Sequence, residues 1–405
     1  MSRIAVTGMG VLSPAGQSLS AFWETLYSGR TVYGPFEEFA DNPQCRIKIG
    51  AKIKADIPAL LDMAGCPADI RGKYGKAALY TVYTALEALR DAGYTGGLSG
   101  RKTAVIVGTT MGEIETEETL TRLLCSNHLP DHELYRQYPS ENLAKAAAEA
   151  AGADGMQIVV PAACAAGNYA VALGKHLLEW RMADIVIAGG TDVFSHVALA
   201  GFQRLLSLTP DVCRPFDAER RGLVVGEGSG MLVMERGEDC SPEKKLYGYL
   251  CGTGLASNAY HMTAPHVKGE GESEAMRRAI KNAGLSPDRI DYISAHGTGT
   301  RQNDRVEAAA IHTVFENTPP PVSSVKSMIG HSMGAASALE IIASFLMLQH
   351  QTVLPTMHCR TPDPACALDV VPDIPRKMPL RYILSNSFAF GGQTSSVILG
   401  SAACV

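Results

Sequence analysis

Short apolar segments alternate with longer segments of helical periodicity along the whole 405-residue chain. The short segments are typical of buried strands, and the longer ones are typical of helices that pack on a sheet. This alternation predicts an α/β fold. The predicted strands cover residues 4–7, 103–107, 157–160, 184–188, 230–234, 246–254, 290–295, 322–325, 382–385 and 395–399.

Three helical segments stand out by their periodicity and their ends. Residues 77–92 carry an apolar stripe and are followed by Gly93, and residues 273–283 are followed by Gly284. A glycine just beyond the last turn is a common C-terminal signal of a helix. Residues 164–180 have small or apolar side chains on every face of their first turns, which predicts a buried central helix.

The chain has the pattern of two variations on one plan. A strand at 157–160 turns into the small-residue helix that begins at Cys164, and a strand at 322–325 turns through His331 into a second small-residue segment at 334–339. Between these parts, residues 236–246 are charged and contain a proline, as a linker does. We therefore predict a duplicated α/β body, with an N-terminal half at residues 1–240 and a C-terminal half at residues 241–405.

Composition excludes several classes of protein. Apolar residues make up 46% of the chain and charged residues 19%, which excludes a disordered protein and a coiled coil. The 36 Lys and Arg against 41 Asp and Glu give a net charge of −5, which argues against nucleic-acid and membrane-surface partners. The first residues run directly into a strand, and the ten cysteines form no C-x2-C pair. We expect a cytoplasmic protein with reduced thiols.

Cys164 is the first candidate for chemistry. It lies where a strand turns into a helix, so its sulfur would face the first-turn N–H groups and the positive end of the helix dipole. Such a position lowers the pKa of a thiol, and it predicts that Cys164 alone among the ten thiols is alkylated rapidly. The alternative is a buried structural cysteine in an alanine-rich helix, because buried thiols are usually inert.

Two histidines favour chemistry over that alternative. His296 lies in a Gly/Thr turn at the end of one strand, and His331 lies in the corresponding turn of the later unit. Ligands bind at such strand ends in open α/β sheets. A cysteine and two histidines at three strand ends predict a nucleophile with acid–base or hydrogen-bonding partners.

Further motifs follow in a fixed order from residue 6 to residue 392, and with these three residues they resemble the β-ketoacyl-acyl carrier protein synthases of the elongating type II kind. These are the condensing enzymes of fatty acid and polyketide synthesis. The resemblance implies the thiolase fold, a duplicated five-layer αβαβα body that works as a dimer. The motifs are Val6-Thr-Gly-Met-Gly-Val-Leu-Ser-Pro14, Ala162-Ala-Cys-Ala-Ala-Gly167, Ala188-Gly-Gly-Thr-Asp192, Arg214-Pro-Phe-Asp217, Gly226-Glu-Gly-Ser-Gly230, Tyr260-His-Met-Thr263, Ala295-His-Gly-Thr298, Lys326-Ser-Met-Ile-Gly-His331 and Asn386-Ser-Phe-Ala-Phe-Gly-Gly392.

The resemblance also implies a reaction and roles for individual residues. Cys164 would accept an acyl group, and His296 and His331 would stabilise the decarboxylation of a malonyl thioester that then condenses with it. Lys326 would support the histidines, with Glu340 buried near it. The remaining implied roles are phosphopantetheine binding by Thr298 and Thr300, an oxyanion hole from the backbone N–H groups of Cys164 and Phe390, and a gate or acyl pocket formed by Phe388, Phe390 and Met111.

The implied partner is acyl carrier protein, whose phosphopantetheine holds the substrates, so no resident cofactor and no metal are expected. The chain would form a homodimer, or a heterodimer with a related ketosynthase or chain-length factor. A non-catalytic subunit of the chain-length-factor type is the alternative function, although such subunits typically lack the nucleophilic cysteine. Thiolases have a second cysteine where His331 stands, and initiating synthases have Asn there.

Some positions depart from the usual pattern of the resembled family. Ala389 replaces the glycine that begins the gate loop, which leaves the reacting groups intact but leaves the acyl substrate and the pathway open. Four basic residues are candidates for a patch that binds an acidic carrier protein: Arg71, Lys73, Lys76 and Arg204. His128 and His132 have metal-ligand spacing, but Pro130 interrupts the helix that such a site would need.

Overall fold

The computed structural model describes residues 3–36, 45–316 and 318–404. Its main feature is a mixed sheet of ten strands, accompanied by two short two-stranded sheets. The strands are β1 Ile4–Leu12, β2 Gly34–Pro35, β3 Ile49–Gly50, β4 Thr103–Gly108, β5 Met156–Val160, β6 Ile185–Asp192, β7 Gly228–Arg236, β8 Gly248–Ser257, β9 Tyr292–Ser294, β10 Val322–Ser323, β11 Thr352–Val353, β12 Arg376–Lys377, β13 Tyr382–Phe388 and β14 Gln393–Ser401.

Helices connect the strands and cover the sheet on both faces. Short 3-10 turns precede two of them, at Ala163–Ala165 and at Met333–Ala335. The α-helices are α1 Leu19–Tyr27, α2 Ile57–Met63, α3 Ala68–Arg71, α4 Lys76–Asp91, α5 Ile114–Cys125, α6 His132–Gln137, α7 Asn142–Ala151, α8 Ala166–Glu179, α9 His196–Arg204, α10 Glu270–Asn282, α11 Arg301–Phe315, α12 Lys326–Ile329 and α13 Ala336–His350.

The two halves of the chain contribute five strands each, in the same order. The order across the sheet is β5-β4-β6-β7-β1 in the first half and β10-β9-β13-β14-β8 in the second. In each half the first two pairings are parallel and the last two are antiparallel. Residues 4–6 of β1 pair with residues 248–250 of β8 and join the halves. This repetition supports the predicted duplication, and the division at residue 240 stays a prediction.

The helices complete a five-layer arrangement. Helix α4 packs on β1 and β7 with α7 beside it, and α10 packs on β8 and β14 with α11 beside it. Between the two halves of the sheet lie α8, which contacts β4 and β6, and α13, which contacts β7, β13 and β14. The predicted α/β body of five layers is confirmed.

Most residues of the central helices α8 and α13 are buried, because protein surrounds both helices. The stretch Met333–His350 is long and apolar enough to cross a membrane, but 89% of it is buried inside the protein. Helices α8 and α13 meet closely at Gly167, where a Cβ atom would lie 2.6 Å from Ser337 Oγ and 2.9 Å from the Ala338 backbone nitrogen. The prediction that α8 is a buried central helix is correct.

Two predicted elements end differently near the candidate residues. The helix predicted from Cys164 begins as a 3-10 turn, and α8 itself begins at Ala166. The strand predicted at 322–325 stops at Ser323, because the chain turns into α12, which contains Lys326 and leads directly to His331. Both differences lie where the chain passes from a strand toward a central helix.

Candidate active site

Cys164 occupies a strained turn between β5 and α8. Ala163, just before it, has a φ of 45°, and Met333 has a φ of 51° at the corresponding place before α13. A residue with a side chain adopts this left-handed conformation only at a cost of about 1 kcal/mol or more. The Cys164 carbonyl accepts a hydrogen bond from Ser387 Oγ at 2.9 Å, which fastens the turn to β13. Cys164 lines a cavity of about 360 Å³ and is only 7% exposed.

Burial raises the pKa of Cys164 to about 12, which is opposite to the predicted direction. The charge of Lys326 and the backbone N–H of Cys164 lower the pKa, whereas the carboxylates of Asp192 and Glu340 raise it. The sequence argument included the helix N-terminus but not the loss of water around the sulfur. Because Cys125 is exposed, the structure does not support the prediction that Cys164 alone is alkylated rapidly.

Alkylation of Cys164 should therefore accelerate with pH across the neutral and mildly alkaline range. For a thiol whose pKa is about 12, the thiolate fraction rises roughly tenfold with each unit of pH increase as long as the pH stays below the pKa. Peptide mapping after timed iodoacetamide treatment measures the rate at Cys164, with the exposed Cys125 as an internal reference. If the alkylation rate at Cys164 reaches a plateau before about pH 9, the pKa of this thiol is not raised.

His296 and His331 lie edge to face in the same cavity. Their ring centroids are 5.4 Å apart, with the planes at 84°. Both residues are buried, and Nδ1 of each ring has no hydrogen-bond partner among the described residues. Burial and, secondly, the charge of Lys326 hold the pKa of both rings well below the usual histidine value. Both imidazoles are therefore neutral at physiological pH, with one N–H group each to donate.

A buried carboxylate fixes the backbone of the His296 turn. Glu307 on α11 accepts hydrogen bonds from the His296 and Gly297 N–H groups, both at 2.8 Å. Asn386 Nδ2 donates to the same carboxylate at 3.3 Å. Burial raises the pKa of Glu307 to about 7, against the effect of these donors. The sequence analysis missed this role, because Glu307 follows His296 by 11 residues and lies on another element.

The His331 turn is held by backbone pairing and by a buried ion pair. The His331 N–H donates to the Val224 carbonyl at 2.7 Å, and its carbonyl accepts from Gly226 N–H at 2.9 Å. Lys326 pairs with Glu340, and both residues are about 1% exposed. Burial raises the pKa of Glu340 to about 7, although Lys326 lowers it. The predicted proximity of Lys326 and Glu340 is present in the structure, and their catalytic roles stay predictions.

Asp192 is a second residue whose role the sequence did not reveal. It is fully buried at the end of β6 and accepts hydrogen bonds from Thr109 Oγ1, at 2.7 Å, and from the Thr110 and Met111 N–H groups, both at 2.9 Å. Its Oδ2 also accepts the Gly334 N–H at 2.6 Å. One carboxylate thus links the first half of the chain to the turn that precedes α13. The motif Gly189-Gly-Thr-Asp192 at a strand end was its only signal.

The other predicted residues lie around the mouth of the cavity, with one exception. Thr298 and Thr300 line it, with their hydroxyls 3.0 Å apart, and Phe388 and Phe390 line it from the side of β13. Met111 does not line this cavity, because its N–H is bound to Asp192 in the loop after β4 and its side chain packs on the outer core of the first half. Its assignment to the acyl pocket stays a prediction.

The gate loop at residues 389–392 is tied to a neighbouring loop. The Gly391 N–H donates to the Met262 carbonyl at 2.7 Å, and the Asn258 N–H donates to the Gly392 carbonyl at 2.8 Å. Phe390 is 37% exposed and packs beside Phe202, with the ring centroids 5.9 Å apart. Phe202 also lines the cavity and was not predicted.

The predicted basic patch is largely neutralised within the chain. Each of three lysine or arginine residues has an acidic partner: Arg71 pairs with Asp62, Lys73 with Glu149 and Lys76 with Glu115. The sequence could not show these pairs, because the partners come from other helices or turns. A carrier-binding role for this set is therefore not supported, and Arg204 lies apart from it on α9.

Comparisons with known proteins agree with this geometry. Residues 1–240 match the family described as "Beta-ketoacyl synthase, N-terminal domain" and residues 247–360 match "Beta-ketoacyl synthase, C-terminal domain". A "Putative polyketide beta-ketoacyl synthase 1" of Streptomyces cyaneus is 36% identical over 98% of this chain and 97% of its own length. The structure of "The ishigamide ketosynthase/chain length factor" is similar with a TM-score of 0.93 and 35% identity, over 99% of this chain and 100% of that one.

A further solved structure shows such a protein with its partner. It is described as a "type II PKS acyl-carrier protein in complex with its ketosynthase bound to the hexaketide", and it has a TM-score of 0.90 and 28% identity over 99% of both chains. The fold is therefore that of the thiolase-like condensing enzymes, as predicted. The chain belongs to the β-ketoacyl synthase family, whose members are acyltransferases of the condensing type.

Proposed function

We propose that this protein joins an acyl group held on Cys164 to malonyl-acyl carrier protein by decarboxylative condensation and releases β-ketoacyl-acyl carrier protein. The observation that carries the proposal is the shared cavity of Cys164, His296 and His331, in which both imidazoles are buried and neutral. A nucleophile and two neutral N–H donors are the groups that this reaction requires.

The first step transfers the acyl group. The sulfur of Cys164 attacks the thioester carbonyl, the bond from that carbonyl to the carrier sulfur breaks, and the proton of the Cys164 thiol passes to the departing carrier thiolate. One thiol and one thioester are consumed and one of each is formed, so no further reactant is needed. The raised pKa of Cys164 keeps the resting sulfur protonated, and Lys326 is the described charge that favours its thiolate.

The second step forms the new carbon–carbon bond. Malonyl thioester loses CO2, and the electron pair of the broken bond moves into an enolate whose oxygen accepts N–H groups from His296 and His331. The enolate carbon attacks the acyl carbonyl on Cys164, the carbon–sulfur bond breaks, and the Cys164 thiolate takes a proton from water. Donors that are already in place in a dry cavity stabilise such an oxyanion far better than water does.

The oxyanion of the acyl carbonyl needs donors of its own, and we assign them to the backbone N–H groups of Cys164 and Phe390. Both residues line the cavity. Gly391 and Gly392, with φ of 85° each, make the tight turn that presents Phe390 there. Their conformation supports a donor on this loop, since a left-handed pair is readily available only to glycine.

The mouth of the cavity suits a phosphopantetheine arm. The hydroxyls of Thr298 and Thr300 offer hydrogen bonds to its amides, and Arg221 and Arg301 line the same cavity and suit its phosphate. The arm carries the substrates, so the proposed reaction uses the carrier's phosphopantetheine and no other organic cofactor. We place the reaction in the cytoplasm.

A second subunit is proposed to pair with this chain. Strand β5 ends the sheet, and its residues Met156, Ile158 and Val160 are only partly buried although they are apolar. An apolar edge strand of this kind is a pairing surface. Both a second copy and a chain-length factor fit it. The non-catalytic role itself is disfavoured for this chain, because Cys164, His296 and His331 are all present.

Reconstitution with carrier proteins tests the proposed function. The purified chain, alone and with a chain-length factor where one is encoded beside it, is incubated with acyl-carrier protein and then with malonyl-carrier protein. We expect an acyl mass on Cys164, followed by β-ketoacyl-carrier protein and CO2 in equal amounts. An acyl enzyme that never elongates, or CO2 release without acyl transfer, would contradict the proposal.

Replacing Ala389 by Gly should widen the range of accepted acyl chains. Ala389 has a negative φ, and its N–H donates to the Gln393 carbonyl at 2.9 Å at the start of the gate loop. Glycine reaches conformations that cost alanine roughly 1 kcal/mol or more, and about 1.4 kcal/mol changes the ratio of two gate positions tenfold. Acylation rates with short and long carrier-bound chains should become more alike in Ala389→Gly, while malonyl decarboxylation is unchanged. Identical chain-length profiles would show that the gate does not depend on Ala389.

A further inference from the structure

Glu272 is a buried acidic residue in the wall of the cavity that contains Cys164. It is the third residue of α10 and is 1% exposed. Its Oε1 accepts a hydrogen bond from Asn258 Nδ2 at 2.8 Å. Its other oxygen, Oε2, is shielded from solvent and has no hydrogen-bond partner among the described residues. Most buried polar atoms in proteins are paired, so this oxygen calls for a partner.

The structural work of this residue pair is done without Oε2. Asn258 Oδ1 accepts the Gly271 N–H at 3.2 Å, and a Cβ atom at Gly271 would lie only 2.5 Å from that oxygen. The Asn258 N–H also holds the gate loop through the Gly392 carbonyl. Asn258 and Oε1 of Glu272 therefore fasten the start of α10 to the gate loop, and Oε2 takes no part in this fastening.

The surroundings of Glu272 suit a polar ligand atom. Burial raises the pKa of Glu272, and the Asn258 amide, the backbone N–H of Glu272 and the nearby His266 ring oppose this. The His266 ring packs edge-on against Tyr260, and its Nδ1 has no hydrogen-bond partner among the described residues, with Glu270 Oε1 3.9 Å away. A carboxyl group accepts hydrogen bonds in either protonation state, so Oε2 offers an acceptor to a hydroxyl or an amide N–H.

We propose that Glu272 and Asn258 form a polar subsite of the Cys164 cavity that binds a hydroxyl or amide N–H group of the bound thioester. The donor is either a hydroxyl on the acyl chain or an amide of the pantetheine arm. The proposal rests on the proposed function, since that function places a thioester in the cavity. A site built to hydrogen-bond one group rejects the analogue that lacks it, because the buried polar atom is then left unpaired.

Single-turnover acylation of Cys164 tests the subsite and identifies the donor. Hexanoyl, octanoyl and decanoyl groups, each with and without a terminal hydroxyl, are presented as pantetheine thioesters and as ethanethiol thioesters. The variant Glu272→Gln keeps an acceptor for Asn258 and replaces Oε2 by an amide nitrogen. The matched control is Glu274→Gln, because Glu274 also lies on α10, pairs with the exposed Arg278 and does not line the cavity.

If the donor is a hydroxyl on the acyl chain, Glu272→Gln should slow the acylation of Cys164 by hydroxylated chains about tenfold or more. The acylation rates with unsubstituted chains should not change. If the donor is an amide of the pantetheine arm, Glu272→Gln should lower the acylation rate by the same factor with every pantetheine thioester. The rates with ethanethiol thioesters should not change. Glu274→Gln should match the parent throughout. If Glu272→Gln matches the parent with all substrates, or lowers only thermal stability, the subsite is wrong. If no thioester acylates Cys164 in the parent, the proposed function fails, and this proposal fails with it.

Discussion

Replacing Cys164 by Ala should abolish acyl transfer and condensation while the protein remains folded. The thiol is the group that the proposed reaction converts into a thioester, and Cys164 is the one cysteine among the described residues that line the cavity. Cys164 borders the cavity, so removal of the sulfur enlarges space that is already present instead of opening a new void in the core. Intact-mass analysis after incubation with acyl-carrier protein measures the acyl enzyme directly.

The matched control for this variant is Cys359→Ala, which removes another buried thiol that does not line the cavity. It should retain acylation. Malonyl decarboxylation should persist in Cys164→Ala, because both imidazoles are unchanged. Detection of an acyl group on Cys164→Ala at the parent rate would show that another residue is the nucleophile.

Replacing His296 or His331 by Ala should slow malonyl decarboxylation by about 10²–10³ each, since each change removes one donor to the enolate oxygen. Acylation of Cys164 should be affected less, because neither ring takes part in forming the new thioester. Release of CO2 from malonyl-carrier protein and acyl mass on Cys164 measure the two steps separately in the same preparation.

A conservative variant distinguishes donation from packing. His331→Asn retains a side-chain N–H group and should keep more decarboxylation than His331→Ala. His176→Ala, on the partly exposed face of α8 and away from the cavity, should behave as the parent. If both alanine variants in the cavity release CO2 at the parent rate, the two-imidazole mechanism is wrong.

The chemical types of the reacting residues were predictable, because each lies in a turn that follows a strand or a short helix after a strand. Their convergence depends on the whole fold: the strand order puts β5 and β10 at opposite edges of the sheet, and the contact between the turns before α8 and α13 brings the two halves together. The five layers were implied by the family resemblance, and the small and apolar first turns of α8 agreed with a helix that lies between other layers.

The properties that depend on distant neighbours were not predictable. The pKa of Cys164 rises because the completed fold excludes water, which no local pattern records. Glu307 and Asp192 accept hydrogen bonds from backbone N–H groups. Nearly every residue has such a group, so the sequence does not show which one a carboxylate binds. The acidic partners of Arg71, Lys73 and Lys76 are likewise brought near only by the packing of helices.

The carboxylate of Asp192 limits how such chains can be recombined. It holds the Gly334 N–H from the other half of the molecule, beside the close approach of α8 and α13 at Gly167. A hybrid that joins the nucleophile half of one ketosynthase to the histidine half of another therefore has the junction between its two donor halves inside the reaction centre. Donor halves that match at this junction keep the sulfur and the imidazoles in register, whereas the connecting residues 240–246 lie outside the cavity lining.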